Sequence, residues 1–167
     1  GFAIANNILH LSGYPFPWEE YNKEYDQVAK ILRADPCFEG ASMFTWGPGP
    51  MFTHAVGLPL ASRFVLPYST ICGYVPGNWA IRSGRVKASD VIRQDHWDQL
   101  MDDLERNKAT YIIDGARAFK NWKAFPMENF PRMADYVREH YDEVNTLGNI
   151  RILRRRGCDG QRAPSEL

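Results

Sequence analysis

No stretch of this chain approaches the ~20 consecutive apolar residues that cross a bilayer as a helix, so its 167 residues contain no membrane-spanning helix of their own. Net charge is missing too, with 20 basic against 20 acidic residues. That balance removes the global field that draws a protein to nucleic acid, and nucleic acid is not expected as a partner. Cysteine is scarce: Cys37, Cys72 and Cys158 are far apart and form no Cys-x-x-Cys pair. His10, His54, His96 and His140 are scattered, with no second histidine four residues on. A structural zinc site needs closely spaced ligands, so no metal is expected. A Gly-Lys-Ser/Thr phosphate loop and a Gly-x-Ser-x-Gly nucleophile elbow are both absent, which removes two common routes to phosphoryl and acyl transfer.

What is present is an ordinary globular profile, 44% hydrophobic and 24% charged, long enough for one domain with a sizeable core. The chain opens with GFAIANNILHL, which is apolar but irregular. An excised domain is expected, with residues 1–18 as a connecting arm, 19–156 as a single α/β domain and 157–167 as a disordered tail. The cysteines allow a Cys37–Cys72 disulfide in an oxidising compartment, beside the simpler reading of free thiols with one in the tail.

Periodicity supplies the elements. Tyr21, Tyr25, Val28, Ala29 and Leu32 recur at helical spacing over Glu19 to Ala34, and Asp35-Pro36 stops that helix. Ser42 to Trp46 reads as a strand. Pro50 opens a short helix and Gly57 closes it. Ser62 to Val65 reads as a second strand. Asp95 is expected to cap a helix that buries Trp97, Leu100, Met101 and Leu104, with Asp98, Asp102, Asp103 and Glu105 facing water. Thr110 to Ile113 is a continuous apolar run, as in a strand covered on both faces. A helix around Phe130 to Tyr141 follows. Glu143 to Thr146 and Ile150 to Arg154 flank Leu147-Gly148-Asn149 as a hairpin. Strands alternating with helices predict an α/β fold: a three-layer, mainly parallel, Rossmann-like sheet ending in an antiparallel hairpin.

The segment Ser42 to Tyr68 carries the strand, glycine loop, helix and strand order of a dinucleotide-binding unit. Its residues argue otherwise. Gly47 and Gly49 match two positions of the fingerprint, but the third is Phe52, and Pro48 and Pro50 offer no N–H to a pyrophosphate. The acidic residue expected after the second strand is replaced by Leu66-Pro67-Tyr68. No cofactor is expected. Asp114, at the carboxyl end of a parallel strand, stands where such folds place ligands, or it caps the turn Gly115-Ala116-Arg117. Arg63 holds an anion or pairs with a carboxylate inside the domain. Cys72 is a candidate thiol with no base assigned to it. Asp102-Asp103 and Asp142-Glu143 read as solvated faces, not as a metal motif. The basic runs Ile81 to Lys87 and Arg154 to Arg156 could meet lipid headgroups, or simply water.

Taken in order, these pieces resemble a family. Leu32-Arg33-Ala34-Asp35-Pro36 ends a helix, a strand runs to Trp46-Gly47, and Ala61-Ser62-Arg63-Phe64 follows a Gly57 helix end. Later come Trp97, Leu100 and Leu104, then Ala109 to Asp114, and finally Tyr141 and Ile152-Leu153-Arg154-Arg155. From Glu19 to Arg156 the chain resembles the C-terminal soluble domain of polytopic glycosyltransferases that use lipid-phosphate sugars, the dolichyl-phosphate-mannose-protein mannosyltransferase-like and aminoarabinose-transferase-like enzymes. The resemblance implies a multi-span parent, an extracytoplasmic (periplasmic or extracellular) position, a polyprenyl-phosphate sugar donor and inverting transfer. It implies the transmembrane portion of the parent as partner, with a sugar acceptor or lipid headgroup as ligand. That family's catalytic acid lies in a membrane loop, so no catalytic residue is carried over. Trp46, Arg63, Tyr68 and Asp114 match the pattern or the same sheet edge and are the candidate ligand-facing positions. Thr53-His54 departs from the expected aromatic, and the stretch from Pro67 to Gln94 is long. A stand-alone sugar- or nucleotide-binding module, and a small enzyme using Asp114 or Cys72, are the alternatives.

Overall fold

Residues 17–66, 80, 83–87, 92–119, 123 and 125–158 are described by the computed structural model, with backbone alone for 17–22. The first helix, α1 (Pro17–Arg33), starts two residues earlier than the apolar spacing suggests, because proline at a first helical turn forfeits no hydrogen bond. Its Tyr25, Val28, Ala29 and Leu32 are buried, as their spacing requires. At its end the Asp35 carboxylate accepts bonds from the Cys37 N–H at 2.9 Å, the Tyr111 hydroxyl at 2.8 Å and Arg154 at 2.9 Å. The helix stop is therefore also a junction with two strands.

Strand β1 (Met43–Trp46) follows, then α2 (Gly49–Val56), closed by Gly57 in the left-handed conformation. Helix α3 (Gln94–Asn107) leads to β2 (Tyr111–Asp114). Arg93, not Asp95, is the cap of α3, and Asp95 lies in its first turn. A 3₁₀ turn (Met127–Asn129), α4 (Pro131–His140) and the hairpin β3 (Tyr141–Leu147) and β4 (Ile150–Arg155) complete the described elements.

The sheet is mixed, in the order β1-β2-β4-β3. Strands β1 and β2 run parallel, with Trp46 opposite Asp114. Strands β2 and β4 are antiparallel, with Asp114 opposite Arg151, and β3 and β4 form the expected antiparallel hairpin. The α/β class and the hairpin are thus as the sequence suggests, while the sheet is parallel on one half only.

The strand expected over Ser62 to Val65 is not formed. Its place is taken by a single parallel bridge from Leu60 to Met43. The reason is local: Asp103 accepts the Arg63 N–H at 3.0 Å and the Ser62 hydroxyl accepts the Phe64 N–H at 3.1 Å. Side-chain acceptors take the donors that a ladder would need.

Two apolar clusters lie on the two faces. Phe44, Trp46, Ile112 and Leu153 share one with Trp97, Leu100, Met101 and Leu104 of α3 and Met133 and Tyr136 of α4. Met43, Tyr111, Ile113, Ile150 and Ile152 share the other with α1 and with Phe52 and Val56 of α2. All four residues of β1 and of β2 are buried, which is why these strands read as unbroken apolar runs.

Cys37 is bonded to Cys158, with Cα atoms 6.1 Å apart and a sequence separation of 121. The Cys37–Cys72 pairing and the free-thiol reading both give way to this bridge. It ties the end of α1 to the residues after β4, so Gly157 and Cys158 belong to the domain and not to a tail. Residues 1–16 of the expected arm, 159–167 of the expected tail, Tyr68 and Cys72 lie outside the described residues.

Candidate functional site

Alternation along the sheet brings three chemistry-bearing side chains to one face. Asp114 and Arg151 are direct cross-strand partners, and Glu143 stands opposite Leu153 on the next strand. In an antiparallel pair, opposed residues share a face, and Leu153 belongs to the cluster packed under α3 and α4.

Asp114 is 1% exposed. Its Oδ1 accepts the Ala116 N–H at 3.1 Å, the turn-capping role considered for it. Its Oδ2 lies 3.4 Å from Arg151 Nη1. Burial pushes its pKa up to about 6, against the pull of the Ala116 amide and Arg151. Arg151 then reaches outward. Its Nη1 donates to Glu128 at 2.9 Å and its Nε to Glu143 at 2.9 Å. Glu128 also meets Arg117 at 3.2 Å. Bonds from the Thr146 hydroxyl and then from Arg151 hold the Glu143 carboxyl below its usual range.

A cavity of about 400 Å³ opens over this cluster, between α4 and the hairpin. Its floor includes Val137, Tyr141 and Leu153, and its rim Glu128, Glu143 and Arg151. Arg151 is the link between this cavity and buried Asp114. The arrangement suits a polar ligand that exchanges partners with a guanidinium. Among the described residues no cluster of His, Cys, Asp or Glu could hold a metal ion.

The other expected positions go elsewhere. Trp46 is fully buried, donates its indole N–H to the Phe125 carbonyl at 2.9 Å, and packs edge-on against Phe130 and Trp97. It anchors the core beneath the strand ends and presents no face to a ligand. Arg63 pairs with Asp103 of α3 through two guanidinium bonds of 2.8 and 2.9 Å, so the carboxylate-partner reading holds. Asp103 is buried, contrary to the water-facing expectation, and the Arg63 hydrogen bond holds its carboxyl below the usual range despite that burial. Trp46 and Asp114 are neighbours in the sheet. Arg63 and Asp114 each have their own ion-pair partner and do not meet.

Gly47, Gly49 and Gly115 sit where the described backbone segments at the strand ends approach one another closely. A Cβ on Gly47 would come within 3.1 Å of the Gly115 backbone, and one on Gly115 within 2.9 Å of the Phe52 ring. A Cβ on Gly49 would overlap the Val65 carbonyl oxygen. Gly115 also donates its N–H to the Trp46 carbonyl at 2.8 Å. The crevice where α/β folds bind dinucleotides is filled by the protein's own backbone and Phe52. The glycines serve chain-to-chain contact.

Sequence reasoning passed over Glu128 and Arg151, and it read Asp103 and Glu143 as solvated and Cys158 as a free thiol, without their partners Arg63, Arg151 and Cys37. A cation inside a strand needs a partner, and that signal, used for Arg63, applied equally to Arg151. Comparison with family models, curated proteins and solved structures finds no match.

Proposed function

We propose that this chain is an extracytoplasmic accessory domain of a membrane glycosyltransferase that draws its sugar from a polyprenyl phosphate. In this reading the parent is of the dolichyl-phosphate-mannose-protein mannosyltransferase-like or aminoarabinose-transferase-like kind, and the fold is its three-layer, Rossmann-like domain. The domain assists acceptor binding, and the transfer itself takes place in the membrane-embedded portion of the parent. The observation that carries the reading is the Cys37–Cys158 bridge, because disulfides form and persist in oxidising, extracytoplasmic compartments. The apolar clusters on both sheet faces support the layered fold. The strand ends filled by Gly47, Gly115 and Phe52 support a role without chemistry of its own.

The test of location is the redox state in the cell. Rapid alkylation followed by peptide mapping is expected to find Cys37 and Cys158 joined. Recovery of both as alkylated thiols would contradict the reading.

The cavity beside Arg151 favours a second reading, a stand-alone module for a small sugar or nucleotide. Micromolar binding of a free ligand to the purified chain, abolished by Arg151→Ala, would support it over the first.

A further inference from the structure

A second cavity, of about 350 Å³, lies toward the amino end of β2, away from Asp114. Its wall includes Cys37, Glu39, Lys108, Arg155, Arg156 and Cys158, and the Cys37–Cys158 bridge ties two of its sides together. The cations here are not all matched by acids. Arg151 pairs with Asp114, Glu128 and Glu143, Arg154 with Asp35, and Arg156 with Asp142. Arg155, the last residue of β4, has no carboxylate partner among the described residues. Its Nη1 donates to the Tyr136 hydroxyl at 3.1 Å and the Tyr141 hydroxyl at 3.4 Å, and its guanidinium carbon lies 5.6 Å from the centre of the Tyr141 ring. Those hydroxyls are fixed in turn, Tyr136 donating to the Leu104 carbonyl and Tyr141 to the Ala109 carbonyl. One nitrogen of the guanidinium is therefore held by two buried tyrosines, while its Nε and Nη2 find no acceptor among the described residues.

Lys108 is the second unmatched cation. It ends α3 at a φ of 47°, the one non-glycine residue with positive φ among the described residues, where glycine or asparagine is the ordinary choice. Its ammonium has no ion pair or hydrogen bond among the described residues, and neither has the exposed Glu39 carboxylate. Two cations free of carboxylates, beside one free acceptor, line a cavity within the ~300–1,000 Å³ of small-molecule sites. A phosphate monoester carries roughly −1.5 to −2 charges and three acceptor oxygens at neutral pH, so it answers both cations where a single carboxylate answers one. A guanidinium edge and an ammonium are the usual donors to such a group. We propose that this cavity binds a small, soluble phosphate monoester that also carries hydroxyl groups. Arg155 and Lys108 hold the phosphoryl oxygens, and Glu39 accepts a hydroxyl. Arg156, already given to Asp142, completes the wall. This site is independent of a membrane parent and separate from the cavity beside Arg151.

Calorimetric titration of the purified chain with glucose 6-phosphate, in phosphate-free buffer, tests it. Saturable submillimolar binding is expected. Glucuronate, the same size of sugar with a carboxylate, should bind at least tenfold more weakly, and glucose not measurably. Lys108→Asn removes the charge with a residue that accepts the left-handed backbone and should weaken glucose 6-phosphate at least tenfold. Arg155→Lys keeps the charge but loses the planar edge and should weaken it severalfold. Thermal unfolding is checked first, and if Arg155→Lys does not fold, Lys108→Asn decides. Arg132→Gln, which removes a cation paired with Asp98 on α4, should change the affinity less than twofold. No binding, equal affinity for glucuronate or glucose, or a loss in Arg132→Gln as large as in Lys108→Asn would overturn the proposal. So would a ligand lost in Arg151→Ala but kept in Lys108→Asn, which would belong to the other cavity. Retention on phosphatidic acid vesicles, abolished by Lys108→Asn, without binding of glucose 6-phosphate would overturn the soluble ligand in favour of a lipid headgroup. None of these outcomes bears on the redox-state or sugar-transfer measurements, so the site and the membrane reading fail separately.

Discussion

Replacing Asp114 with Asn isolates the energetic consequence of burying a carboxyl beneath Arg151. The carboxyl is buried and its pKa is raised from 3.8 to about 6. A group whose folded-state pKa is raised contributes its full share of stability below the unfolded pKa. That share is lost as pH rises through the folded value. With those two values, ionised Asp114 weakens the fold by about 3 kcal/mol at neutral pH, and about 2 kcal/mol of this appears between roughly pH 4.5 and 7.5. Asparagine keeps an acceptor for the Ala116 N–H and has no proton to lose, while Arg151 keeps Glu143 and Glu128. Urea unfolding of both proteins across that range gives the difference directly, because Asp103, Glu143 and the other carboxylates cancel between them. Asp114→Asn should gain stability over the parent steadily as pH rises. A difference that stays flat, or that falls with pH, would refute the reasoning. A falling difference would mean that attraction to Arg151 outweighs desolvation.

Three further expectations follow from the same contacts. Cys37→Ser should lower stability by roughly 3–5 kcal/mol under oxidising conditions, from the closure entropy of so long a loop, and the loss should vanish when both proteins are compared in reductant; an equal difference in reductant would contradict this. Asp103→Ala strands the Arg63 N–H and the Ser62 hydroxyl and should cost about 2 kcal/mol by chemical denaturation, whereas Asp102→Ala, on the exposed side of α3, should cost under about 0.5 kcal/mol. Gly49→Ala should destabilise by roughly 1–3 kcal/mol despite alanine's better helix propensity, since its Cβ has only the Val65 carbonyl and Thr45 to displace; a gain in melting temperature would show that this corner yields easily.

The elements whose cause is local were legible in the sequence. The buried stripe of α1, the Gly57 helix end, the four inward residues of α3 and the hairpin turn at Gly148 follow from spacing and from glycine at positive φ. What escaped depends on partners far along the chain. Ser62 to Val65 has strand-forming residues, yet its N–H groups are claimed by Asp103, forty residues on, and by Ser62 itself. Asp103 flanks the Leu100 and Leu104 stripe and looks solvated until Arg63 is set beside it. Three cysteines allow three pairings, and no spacing rule selects Cys37 with Cys158. The site divides in the same way. The turn at Asp114 was readable from Asp-Gly. Its link to Arg151, and through Arg151 to Glu128 and Glu143, exists only once β4 lies beside β2.

The account stands most directly on a transfer measurement. Membranes from cells expressing the whole gene product, and the purified chain alone, are each given a labelled polyprenyl-phosphate sugar and an acceptor extract. The account predicts transfer by the membranes, none by the chain alone, and a raised acceptor KM with an unchanged donor KM when Cys37 and Cys158 are both replaced by Ser in the whole protein. Transfer by the isolated chain, or none by the membranes, would contradict it.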